Sequence, residues 1–207
     1  GFPFTVGYGM TECAPIITYD DWQVEKLNSC GKAVVNMEVR IASPDPHTIP
    51  GEIQVKGANV FLGYYKNEEA TKEVLTKDGW FKTGDMGILD EEGSLFIKGR
   101  TKCMILGPSG QNIYPEEVET VINSQPYVVD SLVVEDDGGL TALIYPDFPQ
   151  GARDGMNQDA FVKYIESTLP ELDTELPNYA KLKKIEVMSE DFERTPKKSI
   201  KRYLYQR

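Results

Sequence analysis

The sequence predicts an α+β protein built from a β-rich first half and a smaller α+β second half. In the first half, glycines and short apolar runs alternate with turn residues, a pattern typical of antiparallel strands. In the second half, further short strands are joined by two segments with apolar residues at helical spacing. We therefore expect one unit over residues 1–101 and another over residues 102–207.

Residues 31–41 contain a strand candidate, and three further segments of the first half have the composition of strands: residues 52–55, 86–89 and 94–98. A turn containing proline and glycine, residues 43–51, separates the first two. The last two flank Asp90-Glu91-Glu92-Gly93, which is typical of a hairpin. These segments favour antiparallel, barrel-like β-structure in the first unit.

Helices are predicted over residues 67–76, 115–124 and 157–170. Asn67 and Asn157 are suitable N-cap residues, and Pro115 suits the first turn of the second helix. Gly79 should close the first helix, and Pro170 should end the third. In the second half, strands are expected over residues 131–135, 140–145 and 185–188.

Composition excludes several classes of function. The formal net charge of −11 argues against nucleic-acid binding, which needs clustered basic residues. No apolar run approaches the roughly 20 residues of a membrane span, so we expect no integral membrane segment. The three cysteines lack metal-ligand spacing, which favours a cytoplasmic protein without a disulfide framework. His47, the only histidine, lies in a proline-rich turn and should be an exposed loop residue rather than part of a catalytic triad.

Four stretches in a fixed order carry the chemistry: YGMTE at 8–12, GEIQVKG at 51–57 with GYY at 63–65, GWFKTGDMG at 79–87, and GRTK at 99–102 with GQNIYPEEVE at 110–119. Each is weak alone, since YGMTE by itself would be read as a turn with a surface glutamate. Together and in this order they form a specific signal.

These motifs resemble those of the adenylate-forming superfamily, which includes acyl-CoA synthetases, luciferases and peptide-synthetase adenylation domains. The segment around residues 107–115 is most similar to bacterial long-chain fatty acid–CoA ligases. The resemblance implies that residues 1–101 end a large N-terminal domain and that residues 102–207 form a mobile C-terminal lid. It also implies an ATP-dependent ligase that converts a fatty acid and CoA to acyl-CoA, AMP and pyrophosphate through acyl-AMP.

The resemblance assigns four residues of the first motif to the nucleotide. Tyr8 would pack against adenine, with Gly9 beside it in the nucleotide site. The Thr11 hydroxyl would donate to the α-phosphate or the adenylate. Glu12 would bind Mg²⁺, because a hard carboxylate oxygen suits that ion.

The later motifs supply the remaining expected contacts. Asp85 would accept hydrogen bonds from both ribose hydroxyls, since a carboxylate has two oxygens. Arg100 would reach the same ribose or the phosphate. Lys102 would be the hinge of the lid, and Gly110 would allow the pantetheine arm of CoA to approach the backbone.

The tail departs from the family pattern TPxxK, whose lysine stabilises charge in the adenylation step. Alignment on Thr195-Pro196 places Ser199 at that position, and a hydroxyl cannot supply a positive charge. Lys198 or Lys201 would then take the role, with Lys198 preferred. The alternative is a basic surface patch with no catalytic lysine.

Two rival functions stay open. One is an adenylating domain that loads an acyl-carrier protein, and the other is a non-catalytic, degenerate relative, which Ser199 favours. The family's phosphate-binding loop is not found in the sequence and is expected before Gly1, so the chain alone should be inactive. Acyl chain length and oligomeric state are left open.

Overall fold

The computed structural model of the chain divides into two units, Gly1–Lys102 and Cys103–Arg207. It describes residues 3–24, 26–107 and 110–206, with the exception of the Leu169 side chain. Both units combine helices with β-sheets, which confirms the predicted α+β class. No helix within these ranges is both long enough and apolar enough to cross a membrane.

In the first unit, the described residues form seven strands and one α-helix. Its elements are β1 (Gly7–Gly9), β2 (Ile16–Tyr19), β3 (Lys32–Ala33), β4 (Met37–Ala42), β5 (Gly51–Gly57), α1 (Glu68–Val74), β6 (Phe81–Leu89) and β7 (Leu95–Arg100). They form two antiparallel sheets with the strand orders β1-β2-β3 and β4-β5-β6-β7. The predicted hairpin is β6–β7.

The barrel-like arrangement expected for the first unit stays a prediction, and the strands that the structure describes pair as follows. The four-stranded sheet is open, with β4 and β7 as its edges. Hydrogen bonds link Leu95 to Cys30 and Gly31, beside β3, but no ladder of strand pairs continues from them. Residues 31–41, which were expected to contain a strand, hold β3 and most of β4. A turn separates the two strands, and its Asn36 has a φ of 66°.

Helix α1 confirms the predicted cap but not the predicted end. The Asn67 side chain accepts a hydrogen bond from the Ala70 amide at 3.1 Å. The helix ends at Val74 because Leu75 is extended. Gly79, with a φ of 83°, closes the following turn, in which its amide donates to the Thr76 carbonyl. The prediction that Gly79 closes the helix is therefore wrong.

In the described part of the second unit there are five strands and four α-helices. They are β8 (Ile105–Leu106), β9 (Asn112–Ile113), α2 (Pro115–Asn123), β10 (Val128–Asp136), β11 (Gly139–Pro146), α3 (Phe148–Arg153), α4 (Gln158–Ser167), α5 (Leu169–Glu175) and β12 (Leu182–Val187). Strands β8 and β9 form a small hairpin. The main sheet has the order β10-β11-β12, with β10 antiparallel and β12 parallel to β11.

Proline 170 acts differently from the expectation. Helix α4 is capped by Asn157 as predicted, but it already ends at Ser167. Pro170 lies in the first turn of α5, where its missing amide proton costs nothing. The same residue type thus begins a helix that the sequence analysis did not identify, and α3 was missed as well.

Strands β10 and β11 are apolar on both faces. One face, which includes Val133, Ala142 and Ile144, joins a core with buried residues of α2, α4 and α5. The opposite face, which includes Leu132 and Leu143, is covered by the segment that follows β12. Because side chains alternate along a strand, adjacent residues such as Leu132 and Val133 pack into different cores.

Candidate active site

A buried carboxylate, Asp85, lies at the centre of the candidate site in the first unit. Its side chain is bonded by Tyr8 and Arg100, two of the residues that the motifs predicted. The Tyr8 hydroxyl donates to Asp85 Oδ2 at 2.6 Å. Arg100 Nε lies 3.1 Å from Oδ1. Three motifs that are far apart in the sequence therefore meet at one side chain.

Strand geometry explains the position of Asp85. It lies opposite Arg100 in the β6–β7 ladder. On its other side, Glu52 pairs with Met86 and Gln54 pairs with Lys82, so β6 carries extra residues in a bulge. Bulges commonly re-aim side chains at functional sites.

Thr83 and Gly84 shape this bulge. The Thr83 hydroxyl donates to the Ile53 carbonyl at 2.8 Å and accepts from the Asp85 amide at 3.1 Å. Gly84 has a φ of 75°, and no heavy atom of the residues that the structure describes lies within 4 Å of where its Cβ would be. Glycine adopts this conformation without strain, and the space beside it is open. Thr83 had no role predicted from the sequence, although it belongs to the GWFKTGDMG motif.

The hydroxyl of Tyr8 is a neutral donor. Burial raises its pKa well above the usual range, and the negative charge of Asp85 raises it further. Tyr8 therefore keeps its proton at neutral pH and holds one oxygen of the carboxylate. The predicted packing of Tyr8 against adenine stays a prediction.

Gly9 has a structural reason to be glycine. A Cβ at this position would lie 2.1 Å from the Pro15 carbonyl oxygen, far inside van der Waals contact. The neighbouring Met10 amide donates to that same oxygen at 2.7 Å. Gly9 thus permits the close approach of β1 and β2 that places the next residues.

Glu12 lies in a short 3-10 helix, Thr11–Cys13, directly after this approach. The Tyr64 hydroxyl, from the GYY motif, donates to Glu12 Oε1 at 3.0 Å. The second oxygen of Glu12 has no partner among the residues that the structure describes. The Thr11 side chain is exposed. Tyr64 was not assigned a role from the sequence, and its place in a motif was the available signal.

The donor set fits a magnesium ion bound mainly through a nucleotide. Within the described ranges, no group of three or more His, Cys, Asp or Glu side chains could hold a metal by itself. Magnesium is commonly bound by one or two carboxylates together with phosphate oxygens and water. Glu12 is half-buried, and Tyr64 bonds only one of its carboxylate oxygens. The other oxygen is compatible with that arrangement.

The two predicted residues that follow β7 lie in exposed segments. Lys102 belongs to a 3-10 helix, Thr101–Cys103, and ends the first unit. Gly110, at the start of the return to β9, has a φ of 82°, and no atom of the described residues lies within 4 Å of where its Cβ would be. Their roles as hinge and CoA contact stay predictions.

A cavity of about 430 Å³ lies beside the β8–β9 hairpin in the second unit. Its wall includes Gly107, Gln111, Glu135, Tyr179 and Lys181. The hairpin that carries Gly110 therefore borders the cavity, which has both polar and apolar walls.

The predicted lysines lie in a hairpin formed by residues 193–201, which we call the lysine hairpin. Its strands are joined by a bridge between Arg194 and Ile200 and by a hydrogen bond from the Lys201 amide to the Glu193 carbonyl at 2.8 Å. Lys201 Nζ also pairs with Glu193 Oε2 at 3.0 Å. Lys198, at the turn with a φ of 66°, is exposed. Its ammonium has no ion-pair partner among the described residues, so the structure distinguishes the two lysines.

Comparison with known protein families gives two matches. Residues 1–65 match the family described as AMP-binding enzyme. Residues 104–207 match the family described as AMP-binding enzyme C-terminal domain. The second match alone covers half of the chain.

Curated relatives have similar identities but different substrate names. The chain is 43% identical over 136 residues to 2-succinylbenzoate–CoA ligase of Bacillus subtilis, covering 63% of this chain and 28% of the relative. It is 41% identical over 133 residues to long-chain-fatty-acid–CoA ligase of Escherichia coli O6:H1, covering 62% and 23%. The chain thus spans about a quarter of the length of these relatives.

Solved structures resemble the chain over nearly its whole length. O-succinylbenzoate coenzyme A synthetase (MenE) of Bacillus subtilis, in complex with ATP and magnesium ion, matches with a TM-score of 0.82 and 32% identity, covering 98% of this chain and 41% of the other. ATP-bound MatB of Rhodopseudomonas palustris matches with a TM-score of 0.75 and 32% identity, covering 96% and 39%.

Proposed function

The chain belongs to the family of AMP-binding enzymes, and from that premise we propose that it is the C-terminal part of an ATP-dependent carboxylic acid–CoA ligase. The observation that supports this most is the contact of Tyr8 and Arg100 with the buried Asp85. The relatives named above are CoA ligases, which supports CoA as the acceptor. The first unit would end the large domain, and the second would be its mobile lid.

We assign the ribose of the nucleotide to Asp85. A carboxylate has about four lone-pair sites, and Tyr8 and Arg100 use one on each oxygen. One site on each oxygen remains, which suits the two adjacent hydroxyls of a ribose. Both existing bonds hold the carboxylate before the nucleotide arrives, so little ordering is required on binding.

Arg100 has a second possible contact. Its side chain is 68% exposed although its Nε bonds Asp85. The terminal nitrogens of the guanidinium are therefore accessible to an anionic group, and their forked geometry suits phosphate oxygens. This favours a contact between Arg100 and the α-phosphate over a purely structural role.

Magnesium would be held by Glu12 together with the nucleotide phosphates. When bound, the ion would neutralise phosphate charge during adenylation. Tyr64 fixes one oxygen of Glu12 and leaves the other for the ion or its water. Thr11, beside it, supplies an exposed hydroxyl donor for the adenylate.

Lys198 is the better candidate for the catalytic lysine. It is exposed at the turn, whereas the ammonium of Lys201 is paired with Glu193. An unpaired ammonium can approach a developing negative charge without breaking an ion pair. Gly110 and the adjoining cavity are proposed to meet CoA in the thioester step.

A long-chain fatty acid is the proposed acid substrate, from the segment at residues 107–115. The similar identity to a 2-succinylbenzoate–CoA ligase makes that aromatic acid the second candidate. The test measures AMP release by the full-length protein with ATP, CoA and either palmitate or 2-succinylbenzoate. CoA-dependent AMP release with palmitate supports the proposal. Release with 2-succinylbenzoate but not with palmitate would make the aromatic acid the substrate in place of the fatty acid. Release with neither acid, nor with shorter acids, contradicts the ligase function.

The 207-residue chain by itself is the matched control. It is expected to release no AMP, because a binding site for the β- and γ-phosphates is not among its motifs. Mixing it with the separately expressed remainder of the protein tests whether the two parts complement each other.

A further inference from the structure

The segment after β12 is fixed to the sheet of its own unit by apolar contacts. Phe192 is 3% exposed and joins Leu132 and Leu143 in one core. Ile200 and Tyr205 pack against this core, and the Tyr205 ring meets Phe192 edge-on at 5.3 Å between centroids. The lysine hairpin therefore begins and ends at residues that cover β10 and β11.

An arginine precedes the turn of the hairpin. Arg194 pairs with Asp130 of β10 at 2.7 Å and with Asp191 at 3.0 Å. Its other terminal nitrogen donates to the Lys198 carbonyl at 3.2 Å. Arg194 thus connects the sheet with the backbone of the turn.

A second arginine follows the hairpin and is held more deeply. Arg202 bonds Glu119 of α2, whose other oxygen accepts from the Val133 amide at 2.7 Å. The Glu119 residue is 7% exposed. Glu116 lies 4.0 Å from the Arg202 guanidinium. The pair therefore ties the tail to both α2 and β10.

The charges of this pair depend on each other. Burial raises the pKa of Glu119, while Arg202 opposes that increase. Burial also opposes the charge of Arg202, but the carboxylates of Glu119 and Glu116 more than compensate and its pKa is raised. Removing either Glu119 or Arg202 would leave the other charge buried without its ion-pair partner. Such a loss strongly destabilises the surrounding structure.

We propose that Arg202 is a positioning residue of the adenylation half-reaction: its guanidinium, clamped by Glu119, fixes the second strand of the lysine hairpin and so sets the position of Lys198. This inference rests on the proposed function, in which the hairpin supplies the catalytic lysine. Displacement of a catalytic group by about 1 Å can cost about 100-fold in rate. In the proposed function the lysine serves only the adenylation step, so thioester formation should not depend on the clamp.

The experiment compares two half-reactions in the full-length protein. Adenylation is followed by acid-dependent exchange of pyrophosphate into ATP, and thioester formation is followed from synthetic palmitoyl-AMP and CoA. Arg202→Gln is expected to slow adenylation by about 10- to 100-fold and to change thioester formation less than about twofold. Arg153→Gln is the control, because this exposed arginine bonds only Gln150 in the part of the chain that the structure describes.

Hydrogen exchange of the peptide 193–206 measures the clamp without reference to activity. The amides of Thr195 and Lys201, which bond Ser199 and Glu193 across the hairpin, should exchange about tenfold faster in Arg202→Gln than in the wild type. They should be unchanged in Arg153→Gln. A double variant, Glu119→Gln with Arg202→Met, removes both charges. It is used in place of Arg202→Gln if that single variant does not fold.

Each outcome is decisive. Slow adenylation with unchanged thioester formation and a loosened hairpin supports the proposal. Unchanged hydrogen exchange of the hairpin, or an equal fall in the rates of both half-reactions, overturns it. Arg202 would then have no positioning role and would at most contribute to stability. A wild-type protein without acid-dependent exchange overturns the ligase function, and the hydrogen exchange then still decides whether Arg202 holds the hairpin.

Discussion

The bond between Tyr8 and Asp85 leads to a quantitative prediction for Tyr8→Phe. The substitution removes one hydroxyl and keeps the ring, which is 9% exposed and packed in the core of the first unit. The lost hydrogen bond is short, at 2.6 Å, and its acceptor is charged. Bonds of this kind contribute about 1.5–3 kcal/mol. We expect Tyr8→Phe to lower the free energy of unfolding by about 2 kcal/mol at pH 7.

The size of this difference should depend on pH. The pKa of Tyr8 is raised in the folded state above its ordinary value of 10.0. Below pH 10 the hydroxyl is neutral in both states, and its contribution is fully present. Above pH 10 the unfolded chain loses the proton while the folded chain keeps it, so stability falls by about 1.4 kcal/mol per pH unit. Phenylalanine lacks this effect, and the difference between the two proteins should shrink as the pH rises from 10 to 11.

Tryptophan fluorescence can follow the first unit alone, because Trp22 and Trp80 are the only tryptophans in the sequence and both lie in that unit. Urea unfolding at pH 7, 9, 10 and 11 gives the required free energies. Tyr65→Phe is the matched control, since Tyr65 is 88% exposed and should change stability by less than about 0.5 kcal/mol. Equal stability of Tyr8→Phe and wild type at pH 7, or a difference independent of pH, would refute the reasoning.

Three further changes test the site. Asp85→Asn should lower kcat/KM for ATP by about 10- to 100-fold. The amide NH2 that replaces one carboxylate oxygen would face hydrogen-bond donors instead of accepting from them. An unchanged value would exclude a ribose contact. Gly9→Ala should cost about 1–3 kcal/mol in urea unfolding, since the new Cβ meets the Pro15 oxygen; full stability would mean that β1 and β2 can separate easily. Lys201→Ala should leave pyrophosphate exchange within about tenfold, and complete loss would move the catalytic role to Lys201.

Local signals predicted most elements of the fold. The caps Asn67 and Asn157 are observed, because an N-cap depends on a side chain and an amide three residues apart. Errors occurred where one residue type serves two structures. Gly79 closes a turn rather than a helix, and Pro170 begins a helix rather than ending one.

The candidate site was predictable only as a set of residues. The ordered motifs predicted Tyr8, Asp85 and Arg100 as site residues. They did not predict that Tyr8 bonds Asp85, because the two positions are 77 residues apart. No spacing along the chain predicts that contact. The clamp between Glu119 and Arg202 spans 83 positions. Glu119 ends the GQNIYPEEVE motif, whereas Arg202 lies in none of the quoted motifs. Ion pairs between distant elements become visible only after the elements are packed.

The conformation of Lys198 offers a separate argument for its role. Its φ of 66° lies in the left-handed region, which costs an ordinary L-residue about 1–2 kcal/mol, and a glycine would avoid that cost. Strained backbone of this kind clusters at functional sites, so the conformation supports the catalytic role proposed for Lys198.

Replacement of Lys198 can separate these two effects. Lys198→Gly should leave stability unchanged or raise it by up to about 1 kcal/mol, because relief of the backbone is partly offset by the greater freedom of glycine in the unfolded chain. Lys198→Ala keeps the strained backbone without the ammonium. Both should lose acid-dependent pyrophosphate exchange, although only the glycine variant relieves the strain. Exchange that persists in both variants would show that the turn presents no catalytic lysine at this position.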